Sequence, residues 1–132
     1  SKDPTVVVCN CTVVDENDKV LIESYFSYIK PSASIIRTVV KSSFHGCCMA
    51  FNREVVTKAS PFPRFAVGHD LWLGIIGAFY GKVHFLNRPL VLYRRHSSTV
   101  TTTGFASKRS LYDKIKYRFL IVASLFTYVL LK

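Results

Sequence analysis

A single carboxylate stands in the apolar segment VGHDLWLGIIGAFYG, which spans residues 67–81. Asp70 is the only acidic residue between Glu54 and Asp113. A carboxylate can act as a general base that removes a proton from a reacting hydroxyl. An Asp in the first turn of a helix can also satisfy free backbone N–H groups and the positive end of the helix dipole. Asp70 taken alone is therefore either a catalytic base or a helix cap.

Two other stretches combine residue types that can bind ligands. In HGCCMAFNR, residues 45–53, Gly46 would let the backbone approach a ligand closely, although a glycine bend at a strand entrance explains it as well. In YRRH, at the end of an apolar strand, Arg94 and Arg95 could clamp a phosphate and His96 could bind a metal. A solvated strand end is the structural alternative for this second stretch.

The four cysteines occur as the pair Cys9 and Cys11 and as the neighbours Cys47 and Cys48. Zinc sites usually use pairs such as C-x2-C, because the loop must turn both thiolates towards one ion. In a strand, Cys9 and Cys11 would share a face, whereas adjacent cysteines would point to opposite faces. Buried, reduced thiols are therefore favoured over a metal site, which stays as the weaker alternative.

Charge is distributed unevenly along the chain. Residues 1–60 contain seven Lys/Arg and six Asp/Glu, whereas residues 61–132 contain eleven and two, so nearly all of the net charge of +10 lies in the second half. This asymmetry indicates a partner that carries phosphate: nucleic acid, anionic lipid or a phosphorylated small molecule. Nucleic-acid binders place exposed aromatics among their basic residues. Because the aromatics of 72–93 fall inside apolar elements, no nucleic acid is expected.

The elements that must position these residues alternate between strands and helices, which predicts a mixed α/β fold of one domain. Strands are predicted over 5–14, 19–24, 45–52, 82–87 and 89–96, the last two separated by a turn at 87–89. Helices are predicted over 32–42, 53–60, 67–81 and 111–131. Residues 97–107 are predicted to form a polar loop.

The C-terminal segment has apolar residues at 111, 115, 119, 122, 126 and 129, which is the spacing of a helical stripe. Its charge-free run of thirteen residues, 119–131, is too short to cross a bilayer. A basic stretch precedes this run, as in helices that lie in the interface of an anionic membrane. A C-terminal helix that packs on the protein's own core is the alternative, and the sequence leaves both open.

Taken in order, the motifs HGCCMAFNREVV, PFP, GHDLWL and GKVHFLNRPLVLYRRH resemble the C-terminal half of family-2 glycosyltransferases with the GT-A fold. They are most similar to the bacterial enzymes, often labelled rhamnosyltransferases, that build surface polysaccharides. The resemblance covers roughly residues 5–100. It implies that 1–107 form the acceptor-side, catalytic half of such a domain, with a short mixed sheet and flanking helices, followed by a basic amphipathic helix at 108–132.

The resemblance also implies roles for individual residues. Asp70 would be the general base, and His96 would reach the Mn²⁺ or Mg²⁺ that holds the nucleotide diphosphate. Contacts with the donor or acceptor are implied for five residues: Gly46, His69, Trp72, Arg94 and Arg95. One departure from the family is Thr99, where an Asn is usual three residues after the motif histidine.

The implied activity is transfer of a sugar, with inversion, from a nucleotide-sugar donor to a saccharide or lipid-linked acceptor. The nucleotide-binding half and the Asp-x-Asp metal motif would precede the strand at 5–14, so the 132-residue chain is expected to be inactive alone; DEND at 15–18 lies too late to replace that motif. The enzyme would be cytoplasmic and peripheral at the inner face of the cell membrane. The alternative is a non-enzymatic basic module that binds nucleic acid or anionic membrane.

Overall fold

The computed structural model of the protein describes residues 3–63, 68–96 and 110–130. These ranges contain four strands: β1 (Thr5–Val14), β2 (Val20–Ile22), β3 (Met49–Phe51) and β4 (Lys82–Arg94). They contain five α-helices: α1 (Tyr25–Ile29), α2 (Ile35–Val40), α3 (Arg53–Ala59), α4 (His69–Tyr80) and α5 (Leu111–Leu130). A 3-10 turn covers Gly46–Cys48. The predicted loop at 97–107, with Thr99, lies outside the described residues.

β1 is the central strand of a mixed sheet. Its β-branched, apolar sequence TVVVCNCTVV favours an extended strand, and β4 runs parallel to it along one edge, from Thr5 opposite Lys82 to Val14 opposite Arg94. The other edge of β1 carries two short antiparallel strands, β3 against Val6–Val8 and β2 against Val13 and Val14. The predicted mixed α/β fold with a short mixed sheet is therefore confirmed.

The turn predicted at 87–89 is part of the strand β4 in the structure. The strand continues through this segment, and β1 advances two residues, from Cys9 to Cys11, while β4 advances five, from Leu86 to Val91. The surplus residues form a bulge, and Pro89, which has no N–H to donate, is tolerated in a bulge. The prediction was wrong because the polar residues before a proline look the same in a turn and in a bulge.

A buried asparagine holds this bulge against the rest of the sheet. The Asn10 side chain is only 2% exposed. Its Nδ2 donates to Ser24 Oγ at 2.8 Å and to Asn87 Oδ1 at 3.0 Å, and Asn87 belongs to the bulge. Its Oδ1 accepts from the backbone N–H groups of Cys11 and Phe26, both at 2.9 Å. One amide therefore joins β1, the bulge of β4 and the start of α1.

Two further elements differ from the prediction. The strand predicted over 45–52 is shorter, because Gly46–Cys48 form a 3-10 turn before β3 begins. The helix predicted over 32–42 is limited to α2, which begins after the N-cap Ser34, whose side chain accepts from the Arg37 N–H. Sequence patterning missed α1, a five-residue helix capped by Ser24. The predicted helices at 53–60 and 67–81 are confirmed as α3 and α4.

α4 packs tightly on the sheet and carries the largest buried side chain. A methyl group on Gly77 would overlap Val6 Cγ2, and one on Gly74 would overlap the Phe44 ring, so both glycines allow close approach. The core around this contact contains mainly aliphatic and aromatic side chains: Val6, Val8, Val13, Phe44, Val55, Trp72, Ile75, Ile76 and Ile121.

α5 packs on this core through one face only. Ile121, Ser124 and Tyr128 are buried, and Tyr128 donates its hydroxyl hydrogen to the Lys58 carbonyl oxygen while its ring meets Trp72 edge-on. The predicted apolar stripe of α5 is exposed instead. The alternative that the C-terminal helix packs on the core is therefore supported, but the face that packs is not the apolar stripe. Among the helices that the structure describes, none combines the length and the apolar character needed to cross a membrane.

Asn10 generates a stability prediction. Replacing Asn10 with Ala should leave buried donors at Cys11 and Phe26 unpaired, and the free energy of unfolding should fall by about 2–4 kcal/mol in urea denaturation. Asn17→Ala, in the exposed turn after β1, is the matched control and should change it by less than ~0.5 kcal/mol. Equal effects of the two substitutions would contradict the role assigned to the Asn10 amide.

Candidate functional site

Asp70 lies in the first turn of α4, two residues after the N-cap Gly68, which provides no side chain to cap the helix. Its Oδ1 accepts a hydrogen bond from the Leu71 N–H at 2.8 Å. Across residues 3–63, 68–96 and 110–130, no hydrogen bond reaches its Oδ2. The carboxylate is half-buried. One oxygen is therefore held by the helix while the other is available to a ligand.

The backbone before Asp70 is held by α5. The Gly68 N–H donates to the Tyr117 hydroxyl at 3.2 Å. A Cβ atom at position 68 would lie only 2.8 Å from Asp70 Oδ1, so a glycine leaves room for the carboxylate. α5 and the absence of a side chain at Gly68 together fix the direction in which Asp70 points.

Gly46 lies directly beside Asp70. A Cβ atom built on Gly46 would be 3.6 Å from Asp70 Cβ, which is ordinary van der Waals contact, and Gly46 is exposed. The 3-10 turn and the start of α4, which are more than twenty residues apart in sequence, therefore form one wall. The structure thus brings together two of the residues predicted for the site.

His45 joins this wall, and the sequence analysis did not single it out. Its half-buried ring meets the Tyr25 ring edge-on, with 4.8 Å between centroids. Burial lowers the pKa of His45, and the nearby Asp70 charge opposes that effect. Because its pKa lies below the usual value of 6.5, the ring is mainly neutral at pH 7. Its position just before Gly46 in the HGCC motif was the available signal.

The two arginines predicted to clamp a phosphate have different surroundings in the structure. Arg94 forms an ion pair with Asp18 in the turn between β1 and β2. Successive residues of a strand point to opposite faces, and the charge of Arg95 acts instead on Tyr25, where it opposes the rise in pKa that burial causes. Arg95 therefore faces the side of the molecule where His45 lies, whereas Arg94 stabilises the turn.

His96 is exposed and lies two residues after the end of β4. Among the described residues, no three His, Cys, Asp or Glu side chains are grouped so that they could hold a metal ion. The DEND turn does not supply the missing ligands: Asp15 accepts from the Asn17 and Lys19 N–H groups, and Asp18 pairs with Arg94. A metal at His96 would need ligands from outside the described residues.

The remaining two predicted contact residues have different environments. His69 is exposed beside Asp70, with its ring 5.9 Å from that of Phe62, so it stays a predicted substrate contact. Trp72 has no exposed surface, and its indole N–H donates to the Ala59 carbonyl oxygen at 3.0 Å. A direct substrate contact by Trp72 is therefore wrong; this side chain belongs to the core that supports α4.

The four cysteines gather around Cys48 and are all free thiols. Cys9 and Cys11 both contact Cys48, as expected for neighbours on one face of a strand. The expectation that adjacent cysteines diverge is wrong, because the 3-10 turn places Cys47 Sγ and Cys48 Sγ 3.7 Å apart. A hydrogen bond to Cys11 raises the pKa of Cys48, whereas the same contact lowers that of Cys11. Burial raises the pKa of Cys47 to about 11.

Comparisons of the chain with protein-family models, with curated proteins and with solved structures find no match. Function is therefore inferred from the residues around Asp70 and from the order of the sequence motifs.

His45 makes the stability of the protein depend on pH. Since folding lowers its pKa, the unfolded chain binds the proton first as the pH falls. The free energy of unfolding should therefore be constant well above about pH 6.5 and decrease below it, by at most ~1.4 kcal/mol per pH unit for this group. His45→Gln should flatten this part of the profile in urea titrations from about pH 8 to about pH 5. An unchanged slope would rule out the buried, neutral imidazole.

Proposed function

We propose that this chain is the acceptor-side, catalytic half of a metal-dependent, inverting glycosyltransferase of the GT-A type. The observation that carries the proposal is the Asp70 carboxylate, which stands at the start of α4 with one oxygen held by the Leu71 N–H and the other unengaged among the described residues. The adjacent Gly46 leaves the approach to it open. The order of the motifs around Gly46, Asp70 and His96 supports the same conclusion.

In this proposal Asp70 Oδ2 accepts the proton of the acceptor hydroxyl. The hydroxyl oxygen forms a bond to the anomeric carbon of the donor sugar, and the bond from that carbon to the nucleotide diphosphate breaks on the opposite face, which inverts the configuration. The electron pair leaves with the diphosphate. A base that is fixed by a backbone hydrogen bond keeps its orientation during the attack, which lowers the entropic part of the barrier.

The neighbours of Asp70 suit this role. His45 is mainly neutral at pH 7 and can donate or accept a hydrogen bond at the wall of the site. Gly46 offers backbone surface without a side chain, and His69 lies exposed on the next position of the helix. Mn²⁺ or Mg²⁺ would neutralise charge on the leaving diphosphate. Because the described residues do not form a site for it, His96 would share such an ion with residues outside them.

The proposed enzyme acts in the cytoplasm and is peripheral at the inner face of the cell membrane, where a lipid-linked acceptor is available. The alternative, a module that binds nucleic acid, has less support. Trp72 is buried, and Tyr80, Phe85 and Tyr93 pack against the core, which leaves Phe79 as the one exposed aromatic of residues 72–93. A single exposed ring does not form a stacking surface among the basic residues. A salt titration with DNA separates the two functions, because a phosphate-backbone binder loses affinity steeply between low and moderate salt.

Asp70→Asn in the complete enzyme tests the proposed base. Asn keeps an oxygen for the Leu71 N–H, so the free energy of unfolding should fall by less than ~1 kcal/mol. Turnover should fall at least ~100-fold with saturating donor and acceptor, while donor binding stays near normal. Asp70→Ala also removes the hydrogen bond and should cost about 1 kcal/mol of stability.

Retention of most activity by Asp70→Asn would show that Asp70 is structural only. His96→Ala is the comparison variant: it should weaken metal-dependent donor binding as well as turnover.

The isolated chain tests the proposed division of the enzyme. It should transfer no sugar, because the donor-binding half is not part of it. Turnover of any nucleotide sugar by the purified 132-residue chain would contradict this division.

A further inference from the structure

α5 has two faces of different character. The inner face, with Tyr117, Ile121, Ser124 and Tyr128, packs against the protein. The outer face is formed by six large apolar side chains that are each at least half exposed: Leu111, Ile115, Phe119, Val122, Phe126 and Val129. At about 100° per residue, these six lie within an arc of about 80° that points away from the core. Nothing among the described residues covers this outer face.

Basic residues flank the outer face on both sides. On the helical wheel, Lys114 and Arg118 lie along one border of the apolar arc and Lys116 lies along the other, each within about 60° of it. Arg118 also donates to the Val40 carbonyl oxygen at 3.1 Å, so Lys114 and Lys116 are the cations considered for a ligand. The only acidic residue of α5, Asp113, is engaged at the start of the helix, where it accepts from the Ser110 hydroxyl at 2.8 Å. The outer face is therefore an apolar stripe with positive borders.

We propose that the outer face of α5 docks on an anionic lipid surface, with the helix axis parallel to that surface. The apolar stripe enters the boundary between headgroups and acyl chains, and Lys114 and Lys116 reach the lipid phosphates. Charge complementarity selects this occupant. A second copy of the chain would bring another net charge of +10 to the same place, which opposes self-association, whereas an anionic bilayer attracts it.

Docking in this orientation would bring the candidate site close to the lipid. Tyr117, on the inner face, accepts the hydrogen bond from Gly68, two residues before Asp70. The Asp70 turn is therefore separated from the outer face by about one helix diameter, ~10 Å. Docking on lipid would give the proposed enzyme its partner surface and so rests on the proposed function. Lipid binding requires no catalytic activity, so it can be tested independently of sugar transfer.

Vesicle co-sedimentation of the 132-residue chain tests the proposal. Binding to vesicles of phosphatidylglycerol mixed with phosphatidylcholine should exceed binding to phosphatidylcholine alone and should weaken as salt is raised. The triple substitution Ile115→Ser, Phe119→Ser and Phe126→Ser should reduce partitioning at least ~10-fold. The matched control replaces three exposed apolar residues elsewhere, Phe79→Ser, Leu90→Ser and Leu92→Ser, and should bind like the original chain.

Circular dichroism and thermal melting must show that both triple variants are folded. Lys114→Gln with Lys116→Gln leaves the apolar stripe intact and should weaken binding to the anionic vesicles only, which keeps the test valid if the serine variants unfold. Undiminished binding of the folded α5 variant overturns the proposal. It is also overturned if the chain binds no vesicles and sediments as a dimer that the α5 substitutions dissociate.

Discussion

The side-chain amide of Asn10 is the interaction on which the geometry of the sheet depends. It fills its hydrogen-bonding capacity with groups from β1, from the bulge of β4 and from the start of α1. The bulge adds three residues to β4 between Leu86 and Val91. The half-buried residues of β4 are odd-numbered before and after the bulge, so β4 keeps one inner face throughout. The buried positions of β1 change instead from even-numbered to odd-numbered residues at Asn10. Asn10 therefore lies where the inner face of β1 changes, and its bond to Asn87 holds β4 in register there.

The candidate site is built from three segments that are distant in sequence. The 3-10 turn supplies His45 and Gly46, α4 supplies Asp70, and α5 supplies the Tyr117 hydroxyl that holds Gly68. The buried Trp72 stabilises this arrangement from behind, since its indole bonds to the carbonyl that ends α3 and its ring contacts Tyr128 of α5. A carboxylate with one held and one open oxygen is the product of these long-range contacts rather than of α4 alone.

Local patterns in the sequence predicted the elements whose residues interact mainly with near neighbours. The β-branched run of β1 and the apolar segment around Asp70 gave correct elements. Asp70 and Gly46, both predicted for the site, lie side by side in the structure. Contacts between residues far apart in sequence could not be predicted from local patterns. The bulge at Asn87 is held by Asn10, and the Tyr117 hydroxyl is bonded to the Gly68 N–H. The apolar stripe of α5 was predicted with the correct helical spacing, but this spacing alone does not show which side of a helix packs against the core.

The bulge has a consequence for the outer edge of β4, which pairs with no other strand among the described residues. A long, flat edge strand with exposed leucines, here Leu86, Leu90 and Leu92, is a template for uncontrolled pairing with other chains. The irregular segment with Pro89 divides this edge into two short runs, Lys82–Leu86 and Val91–Arg94, each with a basic residue at its outer end. A straight incoming strand can follow only one run at a time. The bulge that Asn10 holds in place thus also interrupts the edge along which other chains could pair.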